Sequence, residues 1–335
     1  MQFGLLYDFR NPPQWQIPTD RLYAQTLEQI VFAEQLGFDA IWISEHHFLD
    51  DGYLPSLLTM AAHIVARTAR VRIGTSVLLL PFHDPLRVAE DAAVVDILSG
   101  GRLDLSIGLG YRAEEFPVFG FPLRQRPSRF EENLAILRAA WRGERFTFHG
   151  RYRTIEPPIR VTPPPLQQPH PPIWCAASQP VAAERAARER LNLTIRGGRR
   201  VYDAWATGLR ELGEDVTAYQ CVTRRSFCVT DDPERTWEEI GPSVIYQTEA
   251  YAAWGATNVP TASPPSPADL EQSARASWFI GSPAEVAAEI RAYHDVLPFT
   301  QYLSFGVPPG VAPAIMNESI KRFAEEVIPL LRDLD

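Results

Sequence analysis

The sequence predicts an α/β fold, a (β/α)8 or TIM barrel with two loop insertions. Short apolar runs typical of buried strands alternate with amphipathic helical segments along most of the 335 residues. Such alternation indicates a parallel sheet with right-handed crossovers. The number of predicted strands approaches eight, which favours a closed barrel over an open doubly wound sheet. We expect a single domain over residues 1–335, with insertions at about 146–172 and 255–281.

The alternation is clearest in the first half of the chain. Its helical segments repeat apolar residues every three or four positions, and its strand segments are short and almost entirely apolar. The predicted strands are residues 3–9, 39–44, 71–80 and 102–110, and the predicted helices are residues 20–37, 55–69, 85–98 and 128–142. Gly37 and Gly100 mark the ends of two of these helices, since glycine commonly follows a helix end.

The same pattern resumes in the second half. The predicted strands are residues 171–177, 193–196, 219–229 and 302–307, and an alanine-rich helix is predicted at residues 181–190. Two segments interrupt the pattern. Residues 146–172 predict a hairpin followed by a proline-rich excursion, and residues 255–281 are polar and proline-rich without a clear period. Long loops of a barrel commonly form lids or site walls, so we interpret both segments as insertions.

Composition excludes several classes of function. The net charge of -9 argues against a nucleic-acid or anionic-membrane partner, because such surfaces are bound by clustered Lys and Arg. No run of about eighteen apolar residues is present, and the first residues lack a basic and apolar signal segment. Cys175, Cys221 and Cys228 are widely spaced and form no C-x-x-C motif, as expected of buried thiols in a reducing compartment. We therefore expect a cytoplasmic protein.

Functional residues of such a barrel lie at the carboxyl ends of its strands. The second predicted strand ends in Glu45, His46 and His47, which raises the question of a metal site. Adjacent strand-like residues point to opposite faces, so the two histidines are not expected to share one ion. The other histidines complete no recognisable ligand set, and we expect no bound metal. A metal-dependent hydrolase barrel remains the alternative, and it predicts bound zinc or iron.

Two strand ends are candidates for a phosphate site. Gly108 and Gly110 follow the fourth strand, but Ala113 breaks the G-x-G-x-x-G pattern of a dinucleotide site. Ser178 and Gln179 open the helix after the fifth strand, where free N–H groups favour an anion. The same residues also fit an ordinary helix cap, and both interpretations stay open. Glu114 and Glu115, which follow the fourth strand, are interpreted as a solvated surface.

Several blocks of the sequence resemble the bacterial-luciferase-like flavin monooxygenases, which share a superfamily with F420-dependent oxidoreductases. They are GFDAIWISEHHF (37–48), the segment 72–120 with its LSGGR motif, PHPPIWCAAS (169–178) and FIGSPAEVAAEI (279–290). The resemblance covers much of the chain in the expected order. It implies a TIM-type barrel, usually a homodimer, that binds reduced flavin mononucleotide (FMN) or the deazaflavin F420 at the strand ends.

The resemblance also implies roles for individual residues. His46 matches the catalytic histidine beside the reactive edge of the flavin, and His47 matches a supporting neighbour. The positions that match cofactor-binding residues are Thr75 and Ser76 behind the ring, Gly108, Tyr111 and Arg112 facing the ribityl chain, and Ser178 and Gln179 at the phosphate. A cis peptide bond is implied between Ser76 and Val77.

The chain departs from the family pattern at one position. Leu109 replaces an arginine that meets the cofactor phosphate in the luciferases. The residues that could supply the missing charge are Arg112, Arg196, Arg199 and Arg200.

The implied function is that of a two-component monooxygenase. A separate flavin reductase would supply reduced FMN, and O2 would add at the C4a carbon to give a hydroperoxide that oxidises a small organic substrate. One alternative is F420-dependent hydride transfer without O2, and another is a non-catalytic flavin-binding homologue.

Overall fold

Eight parallel strands close into a barrel in the computed structural model, which describes residues 1–255 and 266–334. In chain order the strands are β1 (Gln2–Tyr7), β2 (Ala40–Ile43), β3 (Arg72–Thr75), β4 (Leu78–Leu79), β5 (Leu103–Gly108), β6 (Phe146–His149), β7 (Thr154–Ile159), β8 (Ile173–Ala177), β9 (Asn192–Ile195), β10 (Cys221–Arg224), β11 (Ser226–Val229), β12 (Trp278–Gly281) and β13 (Gln301–Phe305). The barrel order is β1-β2-β3-β5-β8-β9-β10-β13, and β13 pairs with β1 to close it. The predicted fold class is confirmed.

Helices surround the barrel and connect its strands. They are α1 (Thr19–Gln35), α2 (Leu57–Arg67), α3 (Pro85–Ser99), α4 (Glu115–Val118), α5 (Arg126–Trp141), α6 (Pro180–Arg188), α7 (Arg199–Glu211), α8 (Pro233–Ala253), α9 (Pro267–Ala276), α10 (Pro283–Val296) and α11 (Pro313–Arg322). Each predicted helix of the first half lies within a few residues of its observed counterpart. Within the described ranges, no helix is both long and apolar enough to cross a membrane.

Two predicted strands are each divided in the structure. The predicted strand 71–80 is β3 and β4, with the implied cis peptide bond between Ser76 and Val77 in the gap. The predicted strand 219–229 is β10 and β11, and only β10 belongs to the barrel. β11 leaves the barrel wall and pairs in parallel with β12. The apolar character of both segments correctly predicted extended structure. It does not show where a segment stops pairing with one neighbouring strand and begins to pair with another.

The two predicted insertions differ in content. Residues 146–172 contain the expected antiparallel hairpin of β6 and β7. In the second segment, residues 256–265 lie outside the described residues, whereas the described remainder holds α9 and β12 instead of an irregular loop. A capping box between Ser266 and Asp269 starts α9, and burial of Trp278 stabilises β12. The single domain and the bounds of the insertions stay predictions.

Large aromatic side chains and a layer of small hydroxyls fill the barrel. The rings of Trp42 and Trp174 meet edge to face with centroids 5.4 Å apart. Above them the Thr75 hydroxyl donates to the Ser106 carbonyl over 2.6 Å, and the Ser106 and Thr194 hydroxyls are 2.8 Å apart. This packed interior supports the carboxyl-end face, where the candidate site lies. All three cysteines are buried and free, as expected.

Candidate active site

His46 lies at the carboxyl end of β2 and forms the centre of the candidate site. Its Nε2 atom is 2.9 Å from the Tyr111 hydroxyl, and its Nδ1 atom is 3.2 Å from Glu115 Oε1. The residue is only 4% exposed. Tyr111 and Glu115 both follow β5, so these two contacts join the carboxyl end of β2 to that of β5. The arrangement orients both ring nitrogens of one buried histidine.

The charge states follow from these partners. Burial lowers the pKa of His46, Glu115 opposes that shift, and Arg112 and Arg196 add to it. Burial raises the pKa of Glu115, but hydrogen bonds from His46, from the His47 backbone and from Arg112 lower it further than burial raises it. A charged Glu115 accepts only, so Nδ1 of a neutral His46 carries the proton and Nε2 accepts from Tyr111. Nε2 of His46 is therefore the ring atom that can take up a proton from a bound group.

Glu115 corrects an expectation from the sequence. It was interpreted with Glu114 as a solvated surface, yet it is completely buried, and only Glu114 is exposed. Its Oε1 atom receives hydrogen bonds from His46, from the His47 backbone over 3.0 Å and from Arg112 over 3.2 Å. These three donors replace the water lost at Oε1, whereas Oε2 is buried without a hydrogen-bond partner among the described residues. Glu115 thus fixes the position of His46 from below.

His47 belongs to a separate cluster with Glu45 and His83. Glu45 Oε1 lies 2.7 Å from His47 Nε2 and 2.8 Å from His83 Nε2. Burial raises the pKa of Glu45, but the two histidines lower it more, to about 2. The expectation that His83 completes no ligand set is wrong, because ligand atoms of the three residues lie within 4.8 Å of one another. Hydrogen bonds already join these atoms, and we interpret the cluster as a hydrogen-bonded network.

This network makes a prediction about pH. Burial lowers the pKa of His83, but Glu45 raises it more, so it lies above the ordinary 6.5. His83 then contributes stability fully below pH 6.5, and that contribution is lost as the pH rises through its folded-state pKa. We expect the difference in unfolding free energy between wild type and His83→Gln to shrink with rising pH. Urea unfolding on both sides of pH 6.5 measures it.

The exposed His149, whose side chain is 64% accessible, supplies the control. The His149→Gln variant should follow the wild type at every pH. A wild-type advantage over His83→Gln that stays constant across the series would contradict the proposed charge on His83.

Aromatic side chains cover His46 on the side away from Glu115. The rings of Tyr53 and Trp254 lie 4.8 and 5.1 Å from the His46 ring. The Tyr53 hydroxyl is 2.9 Å from the Tyr251 hydroxyl. Sequence reasoning missed Tyr251 and Trp254, because they lie at the end of α8, outside the strand ends on which it relied. Together these rings restrict the access of water to His46.

The predicted cofactor residues lie along the same rim. The Thr75 hydroxyl donates to the Ser106 carbonyl, and the backbone carbonyl of Ser76 accepts a hydrogen bond from Arg196 over 3.3 Å. Gly108 ends β5. Arg112 donates to the His47 carbonyl over 2.7 Å and lies over the Trp254 ring. Arg112 thus turns towards the histidines, where it supports Glu115.

Ser178 and Gln179 lie at a second position, where two helices begin. Gln179, not Ser178, is at the cap position of α6, and neither α6 nor α7 has a capping side chain. A side chain at Gly197 would come within 2.4 Å of the Ser178 carbonyl, so the two helix starts adjoin. Arg200 reaches Gln179 Oε1 over 3.3 Å, while Arg199 pairs with Asp203. Two uncapped helix starts and a neighbouring guanidinium fit a phosphate group.

Comparison with known proteins establishes the class. Residues 1–298 match the family model of luciferase-like monooxygenases. The chain therefore belongs to this family, whose relatives include flavin-dependent monooxygenases and F420-dependent oxidoreductases.

Individual relatives cover the chain to different extents. The oxygenase component of the flavin-dependent trigonelline monooxygenase of Acinetobacter baylyi is 26% identical, covering 98% of this chain and 95% of that protein. An F420-dependent glucose-6-phosphate dehydrogenase of Kineococcus radiotolerans is 30% identical, covering 90% and 91%. The uncharacterized protein y4vJ of Sinorhizobium fredii is 39% identical over 170 residues, so this chain spans about half of that relative (48%) and the match covers 51% of this chain.

A solved structure shares the fold over almost the whole chain. Monooxygenase RslO1 from Streptomyces bottropensis superposes with a TM-score of 0.86 at 24% identity, covering 98% of this chain and 99% of RslO1. At this identity the likeness supports the barrel fold alone.

Proposed function

We propose that the protein is the oxygenase component of a two-component flavin-dependent monooxygenase. It would use reduced FMN and O2 to oxidise a small organic substrate. The observation that carries the proposal is the buried, neutral His46 held between Tyr111 and Glu115 beneath an aromatic cover. Reduced FMN supplies the electrons that activate O2, and a water-poor site with a poised histidine suits that chemistry.

The chain's own residues have distinct parts in this proposal. Ser178, Gln179 and Arg200 would hold the phosphate at the two helix starts. Ser76, which accepts from Arg196, would lie behind the flavin ring. The unprotonated Nε2 of His46 would accept a proton from the reacting group when its partner Tyr111 is displaced, and Glu115 would keep the opposite nitrogen protonated.

A second candidate is F420-dependent hydride transfer without O2. It is favoured by the 30% identity to a nearly full-length F420-dependent relative. In that case His46 would act as the acid or base at the substrate itself. The flavin reductase partner belongs only to the first candidate. The homodimer and the cytoplasmic location stay predictions for both.

An anaerobic titration of the purified protein with reduced FMN and, separately, with reduced F420 tests the proposal. Fluorescence detects the binding. We expect saturable binding of reduced FMN and no comparable binding of F420. The Arg200→Gln variant should weaken FMN binding about tenfold and leave riboflavin, which has no phosphate, unaffected. Arg199→Gln is the matched control, since Arg199 pairs with Asp203. Tight binding of F420 alone would favour the second candidate instead.

A further inference from the structure

A cavity of about 500 Å3 adjoins the His46 site at the carboxyl ends of β9, β10 and β13. Its outer wall comes from α8, α9 and β12, which lie between the seventh and eighth barrel strands. Tyr251 lines the cavity and also contacts the Tyr53 hydroxyl, whose ring packs on His46. The cavity volume is in the range that holds small organic ligands. A ligand in it would therefore extend towards His46.

Three arginines line this cavity: Arg196, Arg224 and Arg225. None of the described lining residues is acidic, and none of the three arginines forms an ion pair within the described ranges. Arg224 Nη1 and Arg225 Nε are buried and have no hydrogen-bond partner. Among the described residues, positive charge is thus concentrated here without a directly paired carboxylate, and the nearby buried Asp8, whose pKa burial raises and Arg224 in part lowers, forms no ion pair with it.

Aromatic rings hold the two neighbouring guanidinium groups in place. Arg224 lies 4.4 Å from the Phe305 ring centre, and Arg225 lies 5.0 Å from that of Phe279. Arg225 also donates to the Ala276 carbonyl. Cation–π contact orients a guanidinium but does not satisfy its N–H groups. The burial of Arg224 and its closeness to Arg196 lower the pKa of Arg224, and its interactions with Tyr251 and Tyr53 oppose that shift.

We propose that the cavity binds the carboxylate or sulfonate group of an organic-acid substrate, with Arg224 and Arg225 as its ligands. The assignment of this anion as a substrate rests on the proposed oxidation at His46. The planar fork of arginine matches an oxyanion with two accessible oxygens, and a desolvated site strengthens the pairing. The carbon body of the acid would pack on Phe305 and Tyr251 and point its reacting atom towards His46.

The cofactor phosphate is the competing anion for this cavity. The uncapped starts of α6 and α7 provide a separate phosphate position next to Ser178 and Arg200. Gly198, the cap residue of α7, also lines the cavity and joins the two positions, whereas Arg224 at the end of β10 and Arg225 directly after it lie one strand further round the barrel wall. This separation favours the substrate over the cofactor as the partner of Arg224 and Arg225.

Calorimetric titration of the full chain with small probes tests the proposal without turnover. The probes are benzoate, benzenesulfonate, the neutral and similarly shaped benzamide, and inorganic phosphate, each at millimolar concentration. We expect at least one of the two organic anions to bind, benzamide not to bind, and phosphate to bind more weakly. The Arg224→Gln variant should lose at least about tenfold in anion affinity, while Arg224→Lys should retain part of it. Arg87→Gln, at an arginine 67% exposed on α3, is the matched control.

Four results would overturn the proposal. Equal binding of benzamide, or no binding of either organic anion, would show that charge does not select the ligand. Unchanged anion binding in both Arg224 variants would show that Arg224 does not hold the anion. A loss of FMN affinity in Arg224→Gln as large as the loss of anion affinity would assign the cavity to the cofactor. Failure of the wild type to bind FMN, with anion binding intact, would refute the proposed cofactor and not the anion site.

Discussion

Replacing His46 with alanine is expected to lower product formation roughly 100-fold or more while leaving the affinity for reduced FMN nearly unchanged. The imidazole is buried and Glu115 holds its proton at Nδ1, so its loss removes the proton acceptor at Nε2 and not cofactor binding. Oxygen consumption should continue, with hydrogen peroxide replacing oxidised product. Parallel measurement of O2 uptake, peroxide and product, with reductase-supplied FMN, gives the coupling ratio.

His149→Ala provides the control, because that side chain is 64% exposed and far along the chain in the β6–β7 hairpin. It should preserve the wild-type coupling ratio. A normal product yield from His46→Ala would remove His46 from the chemistry. Equal loss of FMN binding would instead make it a cofactor-binding residue.

Replacing Glu115 with alanine should cost about 3–5 kcal/mol of unfolding free energy, because it removes the buried anion 3.2 Å from Arg112 and leaves, among the described residues, only the exposed Glu114 at 4.0 Å. Three hydrogen bonds to one carboxylate oxygen would be lost together, from His46, the His47 backbone and Arg112. Chemical unfolding monitored by circular dichroism measures the change. Because Glu115 also raises the pKa of His46, the activity that remains should shift its pH profile towards acid.

The neighbouring Glu114→Ala variant is the matched control, since its side chain is 73% exposed. We expect its unfolding free energy to stay within about 0.5 kcal/mol of the wild type. Similar stability of the two variants would mean that the buried charges around Glu115 are satisfied in some other way.

The barrel was predictable because its strands and helices differ in period and follow one another in order. The position of His46 at the barrel mouth was predictable because it closely follows an apolar strand segment, and its catalytic role stays a prediction. The position of Glu115 was not predictable, because an acidic pair after a glycine-rich strand end looks like surface. Its burial depends on His46, which is 69 positions away in the sequence.

Other parts of the site were missed for a similar reason. Tyr251 and Trp254 lie on or just after α8, and helical periodicity does not show that a helix end bends over the barrel mouth. Arg224 lies inside the predicted strand 219–229, but it is the last residue of β10 in the structure. The sequence therefore did not indicate its position at the barrel rim. The positions of residues near the point where a strand leaves the sheet can be assigned only from the three-dimensional structure.

Two separate segments of the chain contribute residues with different roles to the same barrel mouth. The residues to which we assign proton handling around His46 lie between positions 45 and 115, whereas the described residues that line the arginine cavity lie between positions 195 and 305. Substitutions confined to the later segment would therefore change which substrates bind, while the reaction at His46 would stay the same. Diversification within such a lineage would then be recorded mainly in the carboxyl-terminal half.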